Sequence, residues 1–415
     1  MRLPSVLESV LTLVFIYKIA RILFKNTRSA LLAGFLFAVS TYNVRLAGEM
    51  RYTNLVLLFE TVSLYYFIKI IKNGTKKTID LKSYLIFIIS SFLGVISNYS
   101  FFWLFSAVFF YFIVEVLILK KEKISNIQIL FTFLSFVMVP VLFLPWMPKF
   151  FSALNFTLEI VNDWISKPGL VDLYRTFMTF SVAYPTKYTI DAPPGEWGPG
   201  LIYQILSSSM LILILFKLKN SVKRNIQLIP VILIAVPLLL SFAISQFHPV
   251  FIDYNLLPVL IGIILLISNL LKNKLYNFSL IILYLILNVS SFRVLMKYEV
   301  NKEDWKQLYY YLTDKKLEFP SLVMIYPAFN QTVLDYYALS SDIKPTFELI
   351  GLENNAASEN NNFNKLDSGF YNNICLLSYT HDDILGLMQD LRSGYRLESV
   401  KIFPKSNIVS CYQKI

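Results

Sequence analysis

Ten apolar runs separated by short polar connections occupy the first 296 residues of this chain, and they constrain its fold more than any other feature. A helix needs about 20 mostly apolar residues to cross a bilayer. The two shortest runs, 29–42 and 83–97, either are lengthened by neighbouring residues or enter the membrane without crossing it. The pattern predicts an α-helical polytopic membrane protein of about ten transmembrane helices. The runs lie at 5–23, 29–42, 53–71, 83–97, 101–119, 127–147, 200–217, 227–245, 254–271 and 276–296.

Composition supports a membrane protein. Hydrophobic residues make up 56% of the chain and charged residues 16%, against about 25% charged residues in a typical soluble protein. A net charge of +11 would suggest nucleic acid as a partner if the protein were soluble. Here most of the positive charge falls in short connections between apolar runs, so we expect a topology signal and no nucleic-acid partner.

The connections alternate in their content of Lys and Arg. Cytoplasmic connections of membrane proteins are rich in these residues, so the basic set is assigned to the cytoplasm of a bacterial inner or plasma membrane. The sequence after the last run is then extracytoplasmic. The basic set consists of Lys18, Arg21, Lys25 and Arg28, then Lys69, Lys72, Lys76, Lys77 and Lys82, then Lys120, Lys121 and Lys123, then Lys217, Lys219, Lys223 and Arg224, and finally Lys272 and Lys274.

The same alternation places the N-terminus outside. Met1 is followed almost at once by the first run, and no signal peptide precedes it. We therefore expect an earlier membrane span to be missing from this chain, either because the start is misassigned or because the chain is a fragment.

Residues 148–199 form a connection too long for a turn. An amphipathic stretch runs from Leu170 to Tyr184, and a segment rich in Pro and Gly follows at 191–200. The stretch is typical of an interfacial helix followed by a rigid lid. A plain connector with a surface helix fits equally well.

The composition changes after Lys297, so residues 1–297 and 298–415 are expected to form two domains. Short helix-like and strand-like runs alternate in the second, which predicts a small extracytoplasmic α/β domain. Helices are expected at Asp304–Leu312, Val333–Leu339 and Asp383–Ser393, strands at Leu322–Tyr326, Asn373–Ser378, Leu397–Phe403 and Ile408–Tyr412, and a mobile loop at the Asn-rich run Glu353–Asn364.

The chain has two cysteines, Cys375 and Cys411, both in the second domain. An extracytoplasmic location permits a disulfide between them, and two free thiols are an equal alternative. The two histidines and the absence of a Cys-x-x-Cys or Cys/His cluster argue against a structural metal site. We expect neither a metal nor a cofactor.

Charged residues in or beside a membrane are costly and tend to be functional. Most charges of this chain fall in cytoplasmic connections, and the exceptions are expected on the outer side. Arg45, Glu49, Arg51 and Tyr52 lie together between two runs. Arginine offers a planar fork that fits phosphate oxygens, with Glu49 orienting it or accepting a sugar hydroxyl. The alternative is a loop ion pair that fixes the helix connection.

A second outer group, residues 246–254, contains His248 and Asp253 at the expected membrane–water level. These side chains are candidates for contact with a polar substrate, and an ordinary wet loop is the alternative. No phosphate-binding glycine loop, dinucleotide fingerprint or Ser/His/Asp arrangement is visible.

Five short stretches, in order, resemble the bacterial GT-C superfamily, and more narrowly its protein-mannosyltransferase and aminoarabinose-transferase group. The resemblance covers roughly residues 2–340. The stretches are Arg2-Leu3-Pro4-Ser5 with the helix ending in Arg21-Ile22-Leu23-Phe24, Ala30–Ser40 with Gly48-Glu49-Met50-Arg51-Tyr52, Ser97-Asn98-Tyr99-Ser100, Leu144-Pro145-Trp146-Met147-Pro148, and Lys302-Glu303-Asp304-Trp305.

The resemblance implies a glycosyltransferase that moves a sugar from a polyprenyl-phosphate carrier to a lipid, glycan or protein acceptor at the extracytoplasmic face. It implies Arg45 and Arg51 as phosphate contacts and Glu49 as their orienting group. The family's catalytic acid lies just upstream of the Arg-Leu-Pro-Ser stretch, so no catalytic residue is assigned within this chain. The family often has Arg-Tyr before Leu-Leu-Pro, where this chain has Tyr254-Asn255.

A non-catalytic membrane component is the alternative function: a transporter, a lipid-handling partner or a degenerate transferase. Transporters of many families show internal repeats and paired broken helices. Neither is evident in this sequence.

Overall fold

The computed structural model forms two compact units, Met1–Leu295 and Met296–Ile415. The first is helical and the second is built on a β-sheet. The structure describes residues 3–48, 52–73, 79–118, 124–152, 167–182, 204–215, 228–248, 250–270, 278–300, 305–314, 321–325, 331–340, 345–351, 371–378, 394–402 and 408–415.

A helix lies over each of the predicted apolar runs in the described part of the first unit, which confirms the helical membrane-type fold. Two further helices, α3 and α8, lie between runs. The helices are α1 (Leu3–Phe24), α2 (Thr27–Val39), α3 (Thr41–Gly48), α4 (Thr53–Lys72), α5 (Leu81–Ser97), α6 (Phe101–Tyr111), α7 (Asn126–Phe143), α8 (Leu170–Val182), α9 (Gln204–Leu215), α10 (Leu228–Ile244), α11 (Leu257–Leu270) and α12 (Phe278–Val300).

Three helical segments are long and apolar enough to cross a membrane when the described residues are tested: Thr53–Lys72, Phe101–Ile118 and Asn126–Ser152. The second continues α6 through a π-helical stretch, and the third continues α7 through a 3₁₀ turn. A fourth is added if the bent pair α2 and α3 is one span, and five shorter apolar helices accompany them.

The segment from α2 to α3 is broken at Ser40, where the axis bends by 54°. Ser40 has an extended backbone with ψ 115°, and its Oγ accepts a hydrogen bond from the backbone N–H of Asn43 at 3.5 Å. A serine in this position caps a new helix. Arg45 therefore lies on a short helix within the connection expected between two runs.

Helix α4 of the first unit packs along α1 and α5. Its Phe67 is fully buried, and its ring contacts those of Phe87, Tyr111 and Phe136 with centroids 6.0, 6.1 and 5.9 Å away. The contacts with Tyr111 and Phe136 are edge-to-face, a geometry that is favourable beyond the area it buries.

Helix α8 confirms the helix expected within the long connection but corrects its place. Its second half is buried in the bundle, where the ring of Phe180 contacts that of Tyr42 at 4.9 Å. Asn288 of α12 donates from Nδ2 to the Ser181 carbonyl at 3.0 Å. A purely interfacial helix is therefore wrong for this segment, and the turn-rich part at 191–200 lies outside the described residues.

The second unit contains a five-stranded mixed sheet in the order β2-β1-β3-β5-β4. Strands β1, β2 and β3 are mutually parallel, while β5 runs antiparallel to β3 and β4. The elements are α13 (Trp305–Asp314), β1 (Ser321–Ile325), α14 (Gln331–Ser340), β2 (Glu348–Gly351), β3 (Asn373–Ser378), β4 (Tyr395–Ile402) and β5 (Ile408–Lys414).

This architecture confirms the small α/β domain. Strand β2 was not expected, because its four residues alternate too weakly to indicate a strand. The helix expected at Asp383–Ser393 and the Asn-rich run at 353–364 lie outside the described residues. Cys375 and Cys411 occupy opposite positions on β3 and β5 and form a disulfide, which decides between the two alternatives left open for them.

Candidate functional site

Arg45 lies on α3 with its side chain half-buried. Its Nη2 donates a hydrogen bond to the hydroxyl of Tyr254, and its Cζ lies 5.4 Å from the centroid of the Tyr254 ring. The guanidinium thus bonds the phenol oxygen while lying close to the ring. Contact of a guanidinium with an aromatic ring is favourable, more so where water is excluded.

Tyr254 is held by a 3₁₀ turn, Asp253–Asn255, that precedes α11. Asp253 Oδ1 accepts from the Tyr254 N–H at 3.0 Å, and Asn255 Nδ2 donates to the Val250 carbonyl at 2.9 Å. Ser245 Oγ accepts from the Val250 N–H at 3.0 Å. These bonds tie both ends of the 245–256 connection and fix the position of Tyr254.

The same connection is tied to the start of α8. Gln246 Nε2 donates to the Pro168 carbonyl at 3.1 Å. At the other end of α8, Asn288 Nδ2 donates to the Ser181 carbonyl at 3.0 Å, while its Oδ1 accepts from the Thr41 N–H at 2.8 Å. Side-chain amides therefore join three segments that are distant in sequence: α3, α8 and the 245–256 connection.

The structure brings together some of the residues expected at the site. Arg45 of the first outer group contacts Tyr254 in the second group, next to the half-buried Asp253. His248 is exposed, and Tyr52 is exposed at the beginning of α4. Glu49 and Arg51 lie outside the described residues, so their roles stay predictions.

Two residues were missed by sequence reasoning. Tyr254 belongs to the second outer group but was not named as a candidate, yet its hydroxyl accepts a hydrogen bond from Arg45. Arg175, the basic residue of the amphipathic stretch, lies on α8 and bonds Asp172 Oδ1 through Nη1 at 2.8 Å. Its Nε is buried and has no hydrogen-bond partner among the described residues. A lone arginine in an amphipathic stretch was the signal for it.

Sequence reasoning also did not single out a charged residue that lies inside a predicted apolar run. Glu60 lies within α4, fully buried. A single Glu inside an apolar run was visible in the sequence and was the signal for it.

A mostly apolar cavity of about 590 Å³ lies between α6 and α7. Aromatic rings, among them Phe102, Phe105, Phe136 and Phe150, form much of its wall. Just beyond Met147, another wall residue, Lys149 Nζ lies 4.6 Å from the Trp146 ring centroid. A cavity of this composition suits a hydrocarbon chain.

The chemistry available at Arg45 is anion binding. A guanidinium presents several donors in a fixed plane and matches phosphate oxygens. Because the Tyr254 oxygen accepts from Arg45, its hydroxyl proton can be donated to a further oxygen. Across the described ranges, no group of three or more His, Cys, Asp or Glu side chains is placed to hold a metal ion.

Residues 1–146 match the family described as dolichyl-phosphate-mannose-protein mannosyltransferase. Over that range the match confirms the resemblance drawn from the sequence motifs. No curated protein matches the chain significantly.

Solved structures of low similarity also align with the chain. The apo oligosaccharyltransferase of Archaeoglobus fulgidus is 13% identical, with a TM-score of 0.46 over 89% of this chain and 57% of that one. The apo ArnT of Cupriavidus metallidurans is 11% identical, with a TM-score of 0.45 over 99% of this chain and 83% of that one.

Proposed function

We propose that this chain is a membrane glycosyltransferase that moves a sugar from a polyprenyl-phosphate carrier to a lipid, glycan or protein acceptor at the extracytoplasmic face. The observation that carries the proposal is the contact between Arg45 and Tyr254. It places a guanidinium, oriented by a phenol, within the residues that match a family of carrier-dependent mannosyltransferases.

The reaction is a displacement at the anomeric carbon of the donor sugar. The acceptor oxygen forms a bond to that carbon, the bond to the carrier's phosphate oxygen breaks, and the acceptor's proton passes to a base. Negative charge grows on the departing phosphate. A cation that is fixed before the reaction stabilises this charge without reorganisation, and Arg45 is the group we assign to that task.

The pairing also accounts for a departure from the family pattern. The segment before Leu256 has Tyr254-Asn255 where the family often has Arg-Tyr. Arg45, supplied by α3, brings a guanidinium to Tyr254. In the proposed function this arginine replaces the cation that the segment does not carry.

The carrier's hydrocarbon chain requires an apolar surface open to lipid. The cavity between α6 and α7 has that character, and it is lined almost entirely by apolar atoms. We assign it to lipid chains, those of the carrier included.

Turnover of a sugar donor by the reconstituted chain tests the proposed function. The chain would be reconstituted in lipid vesicles with a panel of polyprenyl-phosphate sugars and a mixture of lipid, glycan and peptide acceptors, and release of polyprenyl phosphate would be measured. Release that depends on an acceptor supports the proposal. Binding of polyprenyl phosphate without release from any donor would favour the alternative, a non-catalytic membrane component.

A further inference from the structure

The cavity between α6 and α7 is a groove that opens to the side of the first unit. The wall residues of α6 are spaced three and four apart, so they share one face of that helix. Four wall residues of α7 follow the same spacing and are between 41% and 57% exposed. Lipid tails are as apolar as these side chains, so the bilayer can fill the groove. The residues are Phe102, Phe105 and Phe109 of α6 and Phe133, Val137, Val141 and Leu144 along α7.

The inner side of the groove is closed by aromatic packing. Phe136 of α7 is 3% exposed, and its ring lies 5.3 Å from that of Phe105 and 5.1 Å from that of Phe109, both edge-to-face. Phe143 is buried as well, with its ring 5.9 Å from that of Phe102. Such contacts are favourable beyond the area they bury. They hold α6 and α7 together, so the groove is formed without a ligand.

The groove has the size of one lipid tail. From Phe102 to Phe109 it extends about 10 Å along α6, and from Phe133 to Leu144 about 16 Å along α7, at the rise of a helix. The hydrocarbon of one leaflet is about 15 Å thick, half of the bilayer core. The cavity volume is about 590 Å³, within the range of about 300–1,000 Å³ that holds a single bound small molecule.

A cation lies at one end of the groove. Lys149 is exposed, and it stands between two wall residues, Met147 and Phe150. Its Nζ is 4.6 Å from the centroid of the Trp146 ring, and the ring of Tyr99 is 4.8 Å from that of Phe150. Trp and Tyr are enriched where a membrane meets water, so this end lies at the level of lipid headgroups. Within the described ranges, no carboxylate lies within 4.0 Å of Lys149 Nζ.

We propose that this groove binds one acyl chain of an anionic phospholipid, and that Lys149 binds the phosphate of its headgroup. In the topology expected from the basic connections, the lipid belongs to the outer leaflet. An ammonium group at the membrane surface attracts anionic headgroups, and the choline of a zwitterionic lipid offsets that attraction. The inference concerns a resident lipid, so it goes beyond sugar transfer and does not depend on it.

The phosphate of the carrier is assigned to a different place. Arg45 lies on α3, which packs on α1, α2, α4 and α8, whereas α7 packs on α5 and α6 on α10. Lys149 therefore lies on a helix outside the group around Arg45. A phosphate bound to Lys149 is then that of a second lipid.

Lipid titration of the full chain tests the headgroup assignment. The delipidated protein in detergent would be titrated with palmitoyl-oleoyl phosphatidylglycerol or with phosphatidylcholine of the same chains, and bound lipid would be counted by native mass spectrometry. We expect about fivefold tighter binding of phosphatidylglycerol, the usual effect of one lysine near an anionic surface. Lys149→Gln should lose this preference and Lys149→Arg should keep it. Lys82→Gln, at an exposed lysine of α5, is the control and should also keep it.

A second pair of variants tests the groove. Val137 and Met138 are both 41% exposed on α7, but Val137 is a wall residue of the groove and Met138 is not. Val137→Phe places a ring in the space of the acyl chain and should weaken binding of phosphatidylglycerol, while Met138→Phe should not. If Val137→Phe fails to fold, the comparison of Lys149→Gln with Lys82→Gln decides.

Three results would overturn the proposal. Equal affinity of the unaltered chain for the two phospholipids, or a preference unchanged in Lys149→Gln, would show that Lys149 binds no phosphate. Equal loss in Val137→Phe and Met138→Phe would place the acyl chain outside the groove. Polyprenyl phosphate should bind Lys149→Gln as it binds the unaltered chain, and a loss as large as that of phosphatidylglycerol would make the carrier the occupant. Turnover is measured separately, so failure of the proposed function is distinguishable from each of these results.

Discussion

Arg45 donates a hydrogen bond from its guanidinium to the hydroxyl of Tyr254, and the two residues are 209 positions apart in the sequence. This contact joins α3 to the connection before α11. The proposed anion-binding site therefore combines two segments that are distant in sequence. A change at Tyr254 is expected to alter the orientation of the Arg45 guanidinium.

Tyr254→Phe removes the oxygen that orients Arg45 and keeps the ring. A hydrogen bond to a charged group contributes about 1.5–3 kcal/mol, so binding of polyprenyl phosphate should weaken by about tenfold or more. Tyr99→Phe is the matched control, because it removes a hydroxyl from an aromatic contact of the same unit. Equal affinity in Tyr254→Phe and the unaltered protein would show that the phenol does not position Arg45.

The packing of α10 against α11 makes a prediction about a glycine. A Cβ added at Gly262 would lie 2.7 Å from Ile234 Cγ1 and 2.9 Å from the Pro230 carbonyl oxygen, which is backbone. Overpacking of this kind costs about 1–3 kcal/mol, so Gly262→Ala should lower the thermal stability of the first unit in detergent.

Gly34→Ala is the control for that change. Its added Cβ would meet Leu13 and Tyr17 at 3.7 and 3.9 Å, which are ordinary contact distances. Thermal unfolding of the two variants should differ clearly. Equal unfolding temperatures would contradict the close approach of α10 and α11.

The disulfide between Cys375 and Cys411 closes a loop of 36 residues. Such a bond stabilises a domain by about 2–4 kcal/mol, in large part by restricting the unfolded chain. The double change Cys375→Ser and Cys411→Ser should therefore lower the unfolding temperature of the second unit. Reductant should lower that of the unaltered protein and leave the double variant unchanged, whereas an unaltered protein insensitive to reductant would argue against the bond.

Tyr371 makes the stability of the second unit fall at alkaline pH. Burial, together with a 2.6 Å hydrogen bond to Glu348 Oε2, raises the pKa of Tyr371 from 10.0 to about 12. Between these values the folded domain keeps a proton that the unfolded chain has lost. The stabilisation is complete below about pH 10 and falls as the pH rises to about 12.

The corresponding measurement is denaturant unfolding of the full chain at pH 8 to 12, followed by a probe in the second unit. Tyr371→Phe should reduce the loss of stability across the alkaline range. Tyr336→Phe, at an exposed position of α14, serves as the control. If the free energy of unfolding falls with rising pH as steeply in Tyr371→Phe as in the unaltered protein, Tyr371 is not the cause of the fall.

Much of the fold can be predicted from local patterns of hydrophobic residues in the sequence. Each predicted apolar run has a helix in the described residues, and strand β3 begins and ends where the sequence predicts it, at Asn373 and Ser378 around a short apolar run. These elements are determined by hydrophobicity and its period, which a sequence displays directly. The bend at Ser40 and strand β2 were not predicted. A helix cap and a short edge strand depend on contacts in the folded structure, which the period of hydrophobic residues does not display.

The candidate site was predicted only in part, for the same reason. Residue types and expected topology pointed to Arg45 and to the 246–254 group separately. Their contact depends on how α3, α8 and α11 pack, and no periodicity encodes that packing. Glu60 is a different case, since the sequence displays a carboxyl inside an apolar run, yet Glu60 was not predicted as a buried group.

The most direct test of the account compares Arg45→Met with Arg28→Met, a change at an exposed arginine of α2. In vesicles, binding of polyprenyl phosphate and acceptor-dependent release from its sugar conjugate would be measured for both variants. The account predicts that Arg45→Met loses at least tenfold in both, about 1.4 kcal/mol or more, while Arg28→Met retains both. Unchanged binding and release in Arg45→Met would contradict the assignment of Arg45 as the phosphate-binding group.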